Sequence, residues 1–354
     1  MRKPYLDNLR WATVLLVVVY HVCWYFNGVG TWGSLAGAKS LPAGDALLYA
    51  VYPWFMVLLF VIAGMSARYA LETRSPRQFF RDRTRKLLVP SLVGLLVFQW
   101  LGGLLNIYAG GGLEWLPPAL IYPIAVLSGI GPLWFIQMLW LFSALLLGLR
   151  RLDPKDRVWN ACTRLCRAPV LLAWALLLWA AAQVGNTPII VVYRFGIYGA
   201  AFLTGYYLLS HEEAQTCIQS MRLPLAAAAL VGCVFYTRYY YGTDYVLPSC
   251  LQSLWTALYL WAAVLALLGC ARAYWNVETP FTRRMSRASF GLYALHCPVL
   301  LAVCLLLCGL FDLPAAVNYL LALALTLPLT SALAALIART PFLRWAVLGI
   351  KAEK

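Results

Sequence analysis

Residues 7–26 read DNLRWATVLLVVVYHVCWYF, and this stretch decides how the rest of the chain is interpreted. The apolar run from Trp11 to Phe26 is too long for the hydrophobic part of a signal peptide, and no clear cleavage motif of small residues follows it. Formal charge occurs only at its beginning, on Asp7 and Arg10. The segment therefore predicts a first membrane-spanning helix at about residues 9–27.

The remainder of the chain continues this pattern. Of its 354 residues, 63% are hydrophobic and 12% are charged, against roughly 25% charged in soluble domains. This composition excludes a disordered, a fibrous or a soluble nucleic-acid-binding protein. We predict an all-α fold, a polytopic transmembrane helical bundle that forms a single domain over residues 1–354. The ten predicted spans are residues 9–27, 46–68, 87–107, 132–149, 168–184, 189–210, 223–240, 247–271, 288–308 and 315–338.

The net charge of +15 is mainly a topology signal. If ten spans alternate in direction, 25 of the 28 Lys and Arg residues lie on one side of the membrane. The positive-inside rule then places both termini in the cytoplasm. The apolar stretch 115–131 is broken by three prolines, so we expect a re-entrant or interfacial segment there instead of a span.

Few chemically active groups fall within the spans. None of the 13 Asp and Glu residues lies in mid-span. A catalytic mechanism with paired carboxylates is therefore excluded there, and proton-coupled transport is disfavoured. The groups that remain within the spans are basic: His21, His296 and Arg194. The ten cysteines predict no disulfide framework and no metal site, because the lone C-x3-C at 162–166 has no paired His or Cys.

The first span carries Arg10 and His21 on nearly one face. Eleven residues at 100° each leave the two side chains about 20° apart in azimuth and about 16 Å apart along the axis. Asp7 lies three residues before Arg10 and is expected to pair with it. Two interpretations stay open: an interfacial anchor with a hydrogen-bonded core histidine, or two functional groups on one helix.

A second polar stripe lies on the ninth span, where Ser289, Tyr293 and His296 follow the helical period. Pro298 cannot donate to the carbonyl of Ala294, so a free acceptor and a kink are expected beside His296. The stripe indicates either a packing contact between spans or a functional site.

Two basic features also have two interpretations. Arg194 lies about five residues inside the sixth span, and either snorkels to the outer interface or contacts an anion or hydroxyl. The loop RSPRQFFRDRTRK at 74–86 carries either plain topology charge or a phosphate-binding site, because clustered Arg side chains bind phosphate bidentately.

Five segments, taken in order, resemble motifs of the acyltransferase-3 family of integral membrane acyltransferases. They are DNLRWATVLLVVVYHV (7–22), WFMVLLFVIAG (54–64), FFRDRTRKLLVP (79–90), GPLWFI (131–136) and SFGLYALHCPVL (289–300). Two positions depart from the family pattern: Pro132 stands where the family often has His, and Lys86 stands for an Arg.

The resemblance implies a membrane-embedded O-acyltransferase. It moves an acyl group, expected to be acetyl, from cytoplasmic acyl-CoA to a hydroxyl of a carbohydrate, glycoconjugate or similar polar acceptor. It also implies a bacterial inner membrane and no metal. The expected site residues are His21, His296 and Tyr293 for catalysis, Arg10, Arg68, Arg83 and Lys86 for the donor, and Arg194 and Trp134 for the acceptor.

Imidazole is the natural base for an acceptor hydroxyl near neutral pH, and His21 is expected to act as that base. His296 is then expected to orient the carbonyl or to stabilise the oxyanion. The alternative function is a membrane transporter or flippase without covalent chemistry. The sequence leaves the oligomeric state open.

Overall fold

Helices account for the regular structure of the chain in the computed structural model, which describes residues 3–30, 34–35, 38–187 and 191–350. Within these ranges the only strand-like pairing is an isolated bridge between Asn186 and Arg194. Helices suit the apolar composition, because in lipid every backbone N–H and C=O needs a partner within the protein. The α-helices are α1 (Pro4–Tyr25), α2 (Pro42–Val51), α3 (Phe55–Thr73), α4 (Pro76–Arg83), α5 (Val89–Gly94), α6 (Trp100–Ala109), α7 (Pro118–Ser128), α8 (Leu133–Leu152), α9 (Arg157–Cys162), α10 (Ala168–Ala182), α11 (Phe195–Tyr207), α12 (Glu212–Ser220), α13 (Arg222–Tyr240), α14 (Pro248–Leu251), α15 (Leu254–Tyr274), α16 (Pro280–Leu310), α17 (Ala315–Arg339) and α18 (Pro341–Leu348). Two π-helices cover Thr84–Leu88 and Leu95–Gln99, and 3-10 turns cover Gly112–Glu114 and Thr163–Leu165.

Seven helical segments in the described part of the chain are long and apolar enough to cross a membrane. The number rises to nine if each of two bent pairs, α9 with α10 and α12 with α13, forms one span. The all-α polytopic class is therefore confirmed. Each of these nine segments overlaps one of the ten predicted spans. The count of ten and the cytoplasmic termini stay predictions.

The predicted span at 189–210 differs most from the structure. Its helix, α11, begins only at Phe195 and has 13 residues, about 20 Å against a bilayer core of about 30 Å. Gly185, in a left-handed conformation (φ +68°), turns the chain, and Thr187 then bonds through its N–H to the carbonyl of Tyr193. These contacts hold residues 191–194 outside the helix, and the predicted start, residue 189, lies outside the described residues.

The stretch 115–131 forms α7, a helix of 11 residues. At about 16 Å it is too short to cross the bilayer, in agreement with the expectation of a non-spanning segment. It lies tightly against α6, because a Cβ on Gly103 would overlap the carbonyl oxygen of Ala125. The basic stretch 74–86 was expected to be a loop, and this was wrong: it is mostly helical, in α4 and the π-helix Thr84–Leu88.

The contacts divide the chain into two compact units, and α1 contributes to both. The first unit contains the described residues of Met1–Thr13, Tyr49–Phe80 and Leu141–Ser286. Its closest helix pair is α3 with α11. A Cβ on Gly64 would overlap the carbonyl oxygen of Phe202, and a Cβ on Gly205 would overlap that of Val61. Paired glycines thus let these two backbones touch, as small residues do between membrane helices.

The second unit contains the described residues of Val14–Leu48, Arg81–Trp140 and Arg287–Lys354. Part of its core joins the end of α1 to α16 and α17, through fully buried side chains such as Phe26, Leu300, Cys304 and Ala322. The apolar faces of α1 and α16 therefore lie together. This packing sets the distance between the polar residues that the same two helices carry.

Candidate active site

The middle of α16 contains the irregularity that Pro298 predicts. Its lack of an N–H leaves the carbonyl of Ala294 without a helical donor, and the amide nitrogen of Gln99 donates to that oxygen at 2.6 Å. Gln99 is buried at the end of the second π-helix. Sequence reasoning did not identify Gln99. A signal was present, because an amide within the apolar stretch 87–107 needs a partner.

The two intramembrane histidines meet in the second unit. Nδ1 of His21 lies 3.2 Å from Nε2 of His296, although 275 positions separate the residues. Their ring centroids are 5.0 Å apart, and the planes are inclined by 58°. The distance is that of a hydrogen bond, so the two polar features of the sequence belong to one cluster.

The backbone around the rings determines where their protons lie. Nδ1 of His296 is 2.8 Å from the carbonyl oxygen of Tyr293 and 3.1 Å from that of Leu292. Carbonyls only accept, so in the neutral ring this nitrogen carries the proton and Nε2 keeps a lone pair. Nδ1 of His21 faces two acceptors, Nε2 of His296 and the carbonyl oxygen of Val17 at 2.8 Å. It is therefore the donor, and Nε2 of His21 keeps the lone pair of a base.

Burial distinguishes the two rings. His296 has no exposed surface, whereas His21 is partly exposed. Of the two residues, only His21 presents exposed surface. The thiol of Cys297, 9% exposed, lies 3.4 Å from Nε2 of His296. The two ring nitrogens and this sulfur lie within 4.8 Å of one another, close enough to hold one metal ion.

Tyr293 connects this cluster to the predicted GPLWFI segment. Its hydroxyl donates to the carbonyl oxygen of Pro132 at 2.7 Å, and its ring packs edge-on against Phe135 at 5.5 Å. The departure from the family pattern, Pro132, thus contributes through its backbone. Trp134 is buried beside Phe135, with ring centroids 6.2 Å apart. A direct role of Tyr293 in catalysis, and of Trp134 in acceptor binding, stays a prediction.

Arg10 pairs with Asp7 at 2.9 Å, which confirms the pair expected from their spacing. Its other terminal nitrogen donates to the hydroxyl of Ser66 at 2.7 Å. Arg10 and Ser66 both belong to the first unit. The Arg10 side chain remains about a third exposed, so it has room for a further partner.

Arg68 has a nearly complete set of protein partners. Its guanidinium donates to Asp156 at 3.0 Å, lies 3.7 Å from Glu72, and stacks over the ring of Trp159 at 4.0 Å. Trp159 in turn stacks on His211, with ring centroids 4.0 Å apart. Sequence reasoning did not identify this column, because its members are far apart in the chain.

His211 is buried and neutral in this column. Burial lowers its pKa below the usual value of an imidazole. Its Nε2–H donates to the carbonyl oxygen of Trp159 at 3.0 Å, and the hydroxyl of Thr163 lies 3.4 Å from Nδ1. Through these two contacts the ring fastens the turn before α12 to α9 and to the residue that follows α9.

The other two predicted donor residues belong to the second unit. Arg83 ends α4 and is partly exposed, and Lys86 is exposed in the first π-helix. The backbone of Gly349, with φ +61°, approaches the Lys86 Cα, so this helix is anchored by the turn after α18. Donor binding by Arg83 and Lys86 stays a prediction.

Arg194 is buried at 5% exposure in the first unit, and does not extend to the surface. Its guanidinium donates to the carbonyl oxygen of Leu251 at 3.0 Å and lies 5.9 Å from the ring centre of Tyr198. These contacts join α11 to the turn after α14. Acceptor binding by Arg194 stays a prediction.

Ionisable side chains within the spans of a polytopic helical fold indicate a functional site, and the imidazole pair is such a group. The model of a family described as an acyltransferase domain, acyltransferase-3, matches residues 3–339, nearly the whole chain. The chain belongs to this family and is a membrane acyltransferase. Comparison with curated proteins and with solved structures gives no significant match.

Proposed function

We propose that the protein transfers an acyl group, acetyl in the simplest case, from acyl-CoA on the cytoplasmic side to a hydroxyl of a carbohydrate or similar polar acceptor. His21 is the general base. The observation that carries this proposal is the hydrogen-bond chain from His21 through His296 to the backbone of α16. It leaves the lone pair on the histidine that is the more exposed residue of the two.

The transfer proceeds through a tetrahedral intermediate. Nε2 of His21 takes the proton of the acceptor hydroxyl as the oxygen attacks the thioester carbonyl. When the intermediate collapses, the carbon–sulfur bond breaks, and the imidazolium returns its proton to the departing sulfur. The products are an ester and free CoA, and His21 is neutral again.

His296 is a positioning residue in this proposal. It accepts the Nδ1–H of His21, holds that ring in one tautomer, and receives a stronger hydrogen bond when His21 is charged. The carbonyl oxygen of Val17 assists from the other side. The arrangement is equivalent to the orienting partner of a catalytic triad, with a neutral ring in place of the carboxylate.

The donor is proposed to lie along α1. Arg10 and His21 belong to one continuous helix, so their axial separation of about 16 Å follows from the helix rise. An extended pantetheine arm has about this reach, which would put the phosphates near Arg10 and the thioester near His21. Arg68, Arg83 and Lys86 are proposed as further phosphate contacts, to be tested one residue at a time.

The acceptor is proposed to be polar and to reach His21 from the outer half of the membrane. Arg194, which is predicted near the outer end of the sixth span, and Trp134 are the proposed contacts, to be tested one residue at a time. Comparing lipid extracts and surface glycans by mass spectrometry, with and without the gene, would identify the acylated hydroxyl.

The decisive experiment uses purified protein and labelled acetyl-CoA in single-turnover measurements of His21→Ala. We expect transfer to fall by about 10²–10⁴, as for loss of a general base, with acetyl-CoA binding retained. His296→Ala should lose less, because it removes the orienting partner only. His211→Gln is the matched control and should keep the rate of the chemical step, since the His211 ring bonds Trp159 and Thr163 and neither of the paired histidines.

Two results would overturn the proposal. Near-normal turnover of His21→Ala with an inactive His296→Ala would exchange the roles of the two histidines. If the wild-type protein neither binds nor consumes any short acyl-CoA, acyl transfer from this donor is lost, and a transporter or flippase becomes the better hypothesis.

A further inference from the structure

Two of the three distances among the metal-binding atoms of His21, His296 and Cys297 match the edges of a tetrahedral site. A zinc ion with bonds of about 2.05 Å to nitrogen and about 2.3 Å to sulfur needs N···N and N···S edges of about 3.3 and 3.6 Å. The observed edges are 3.2 Å between the ring nitrogens and 3.4 Å between Nε2 of His296 and the thiol. All three atoms lie within 4.8 Å of one another.

We propose that these three residues bind a divalent transition-metal ion of the Zn²⁺ class, and that the bound ion switches the enzyme off. In the ranges that the structure describes, they form the one such group of His, Cys or acidic ligands. Two imidazoles and a thiolate suit zinc, cobalt and related ions, and three protein ligands leave a fourth position for water. The sequence alone had predicted no metal site here.

His296 is already prepared as a ligand. Its Nδ1–H bonds to two backbone carbonyls, which fixes the ring and presents the lone pair of Nε2. This is the usual outer support of a metal-binding histidine. The ring needs no change of tautomer to bind the ion.

The other two ligands change their protonation when the ion binds. His21 moves its proton from Nδ1 to Nε2, and Cys297 releases its thiol proton to solvent. One proton is therefore released for each ion bound, and the thiolate cancels one of the two positive charges. His21 is the one ligand of the three that is partly exposed, so the proposed entry of the ion is past His21.

Inhibition follows from the position of the proton. With the ion on Nδ1, the N–H proton of the His21 ring is on Nε2, so this nitrogen has no lone pair for the acceptor hydroxyl. This consequence rests on the proposed function, in which His21 is the base. Binding of the ion depends only on the geometry of the cluster.

The binding test uses Co²⁺ as a spectroscopic probe on the purified full-length protein in detergent. We expect thiolate-to-cobalt charge-transfer absorption, the visible bands of a tetrahedral ion, and one ion per chain. Zn²⁺ should displace it. Cys297→Ser should abolish the charge-transfer band, whereas Cys304→Ser should keep it, because Cys304 is a second buried thiol on the same helix that is not part of the cluster.

The activity test is separate. Zn²⁺ should inhibit acetyl transfer by the wild-type protein, a chelator should restore it, and Cys297→Ser should need at least tenfold more Zn²⁺ for half inhibition. A wild-type protein without the cobalt bands, or a Cys297→Ser variant that keeps them, would overturn the site. Cobalt binding together with zinc-insensitive transfer would overturn the switch alone. Cobalt bands without any acyl transfer would support the site and count against the proposed function.

Discussion

Gln99→Met tests whether one buried amide repairs the break that Pro298 makes in α16. The substitution keeps the length of the side chain and removes the donor that lies 2.6 Å from the carbonyl oxygen of Ala294. Gln99 is 5% exposed and Ala294 is 1% exposed, so no water replaces the lost bond. Leaving a buried carbonyl unpaired costs about 1–3 kcal/mol, and we expect this decrease in the free energy of unfolding.

The matched background is Pro298→Ala. An alanine there supplies an N–H to the carbonyl of Ala294, as in an uninterrupted helix, so the amide of Gln99 becomes dispensable. In that background Gln99→Met should cost less than about 0.5 kcal/mol. A coupling energy of about 1 kcal/mol or more between the two positions follows, which is typical of residues that share a partner.

The four proteins of this double-mutant cycle are compared by equilibrium unfolding in mixed micelles. Acetyl transfer is measured in parallel, since His296 lies two residues after Ala294. Equal costs of Gln99→Met in both backgrounds would show that the amide does not serve this carbonyl. The assignment of Gln99 as the replacement donor for this carbonyl would then be wrong.

Three further predictions concern Tyr293, Arg83 and His211. Tyr293→Phe keeps the ring and removes the phenol donor to the carbonyl oxygen of Pro132, so the free energy of unfolding should fall by about 1 kcal/mol. We also expect kcat to fall at constant KM for acyl-CoA, and an unchanged kcat in steady-state assays would contradict the positioning role. Arg83→Glu should raise the KM for acyl-CoA more than it lowers kcat, because phosphate contacts are equal in the ground and transition states, whereas the control Arg151→Glu should not; an unchanged KM would leave this stretch as topology charge. Because burial lowers the pKa of His211, its stabilising effect should be complete above the ordinary imidazole pKa of about 6.5 and decrease as the pH falls below it. Thermal unfolding across this range should show a steeper slope in the wild type than in His211→Gln, which keeps the other two histidines; equal slopes would refute the prediction.

Local features of the site could be predicted from the sequence because helix geometry alone sets them. The pairing of Asp7 with Arg10 needs only a spacing of three residues on a helix, and the structure contains it. The loss of the helical donor to the carbonyl of Ala294 follows from the missing N–H of Pro298 alone. The membrane class required only composition and the lengths of the apolar runs.

The start of α11 was not predictable in the same way. Hydropathy extends the apolar run back to residue 189, but Gly185 and the bond from Thr187 to Tyr193 turn the described chain before Phe195. Average hydropathy does not register such a turn, because it sums side chains and ignores where backbone hydrogen bonds go.

The partners of the polar groups were decided by tertiary structure. The sequence indicated that His21 and His296 are unusual, but only the packing of α1 against α16 puts their nitrogens 3.2 Å apart. Other tertiary contacts likewise bring Gln99 to the carbonyl of Ala294 and surround Arg68 with Asp156 and Trp159. A hydrogen bond acts over about 3 Å and depends on direction, so it requires a helix register that hydropathy, which is insensitive to rotation and small shifts, does not specify.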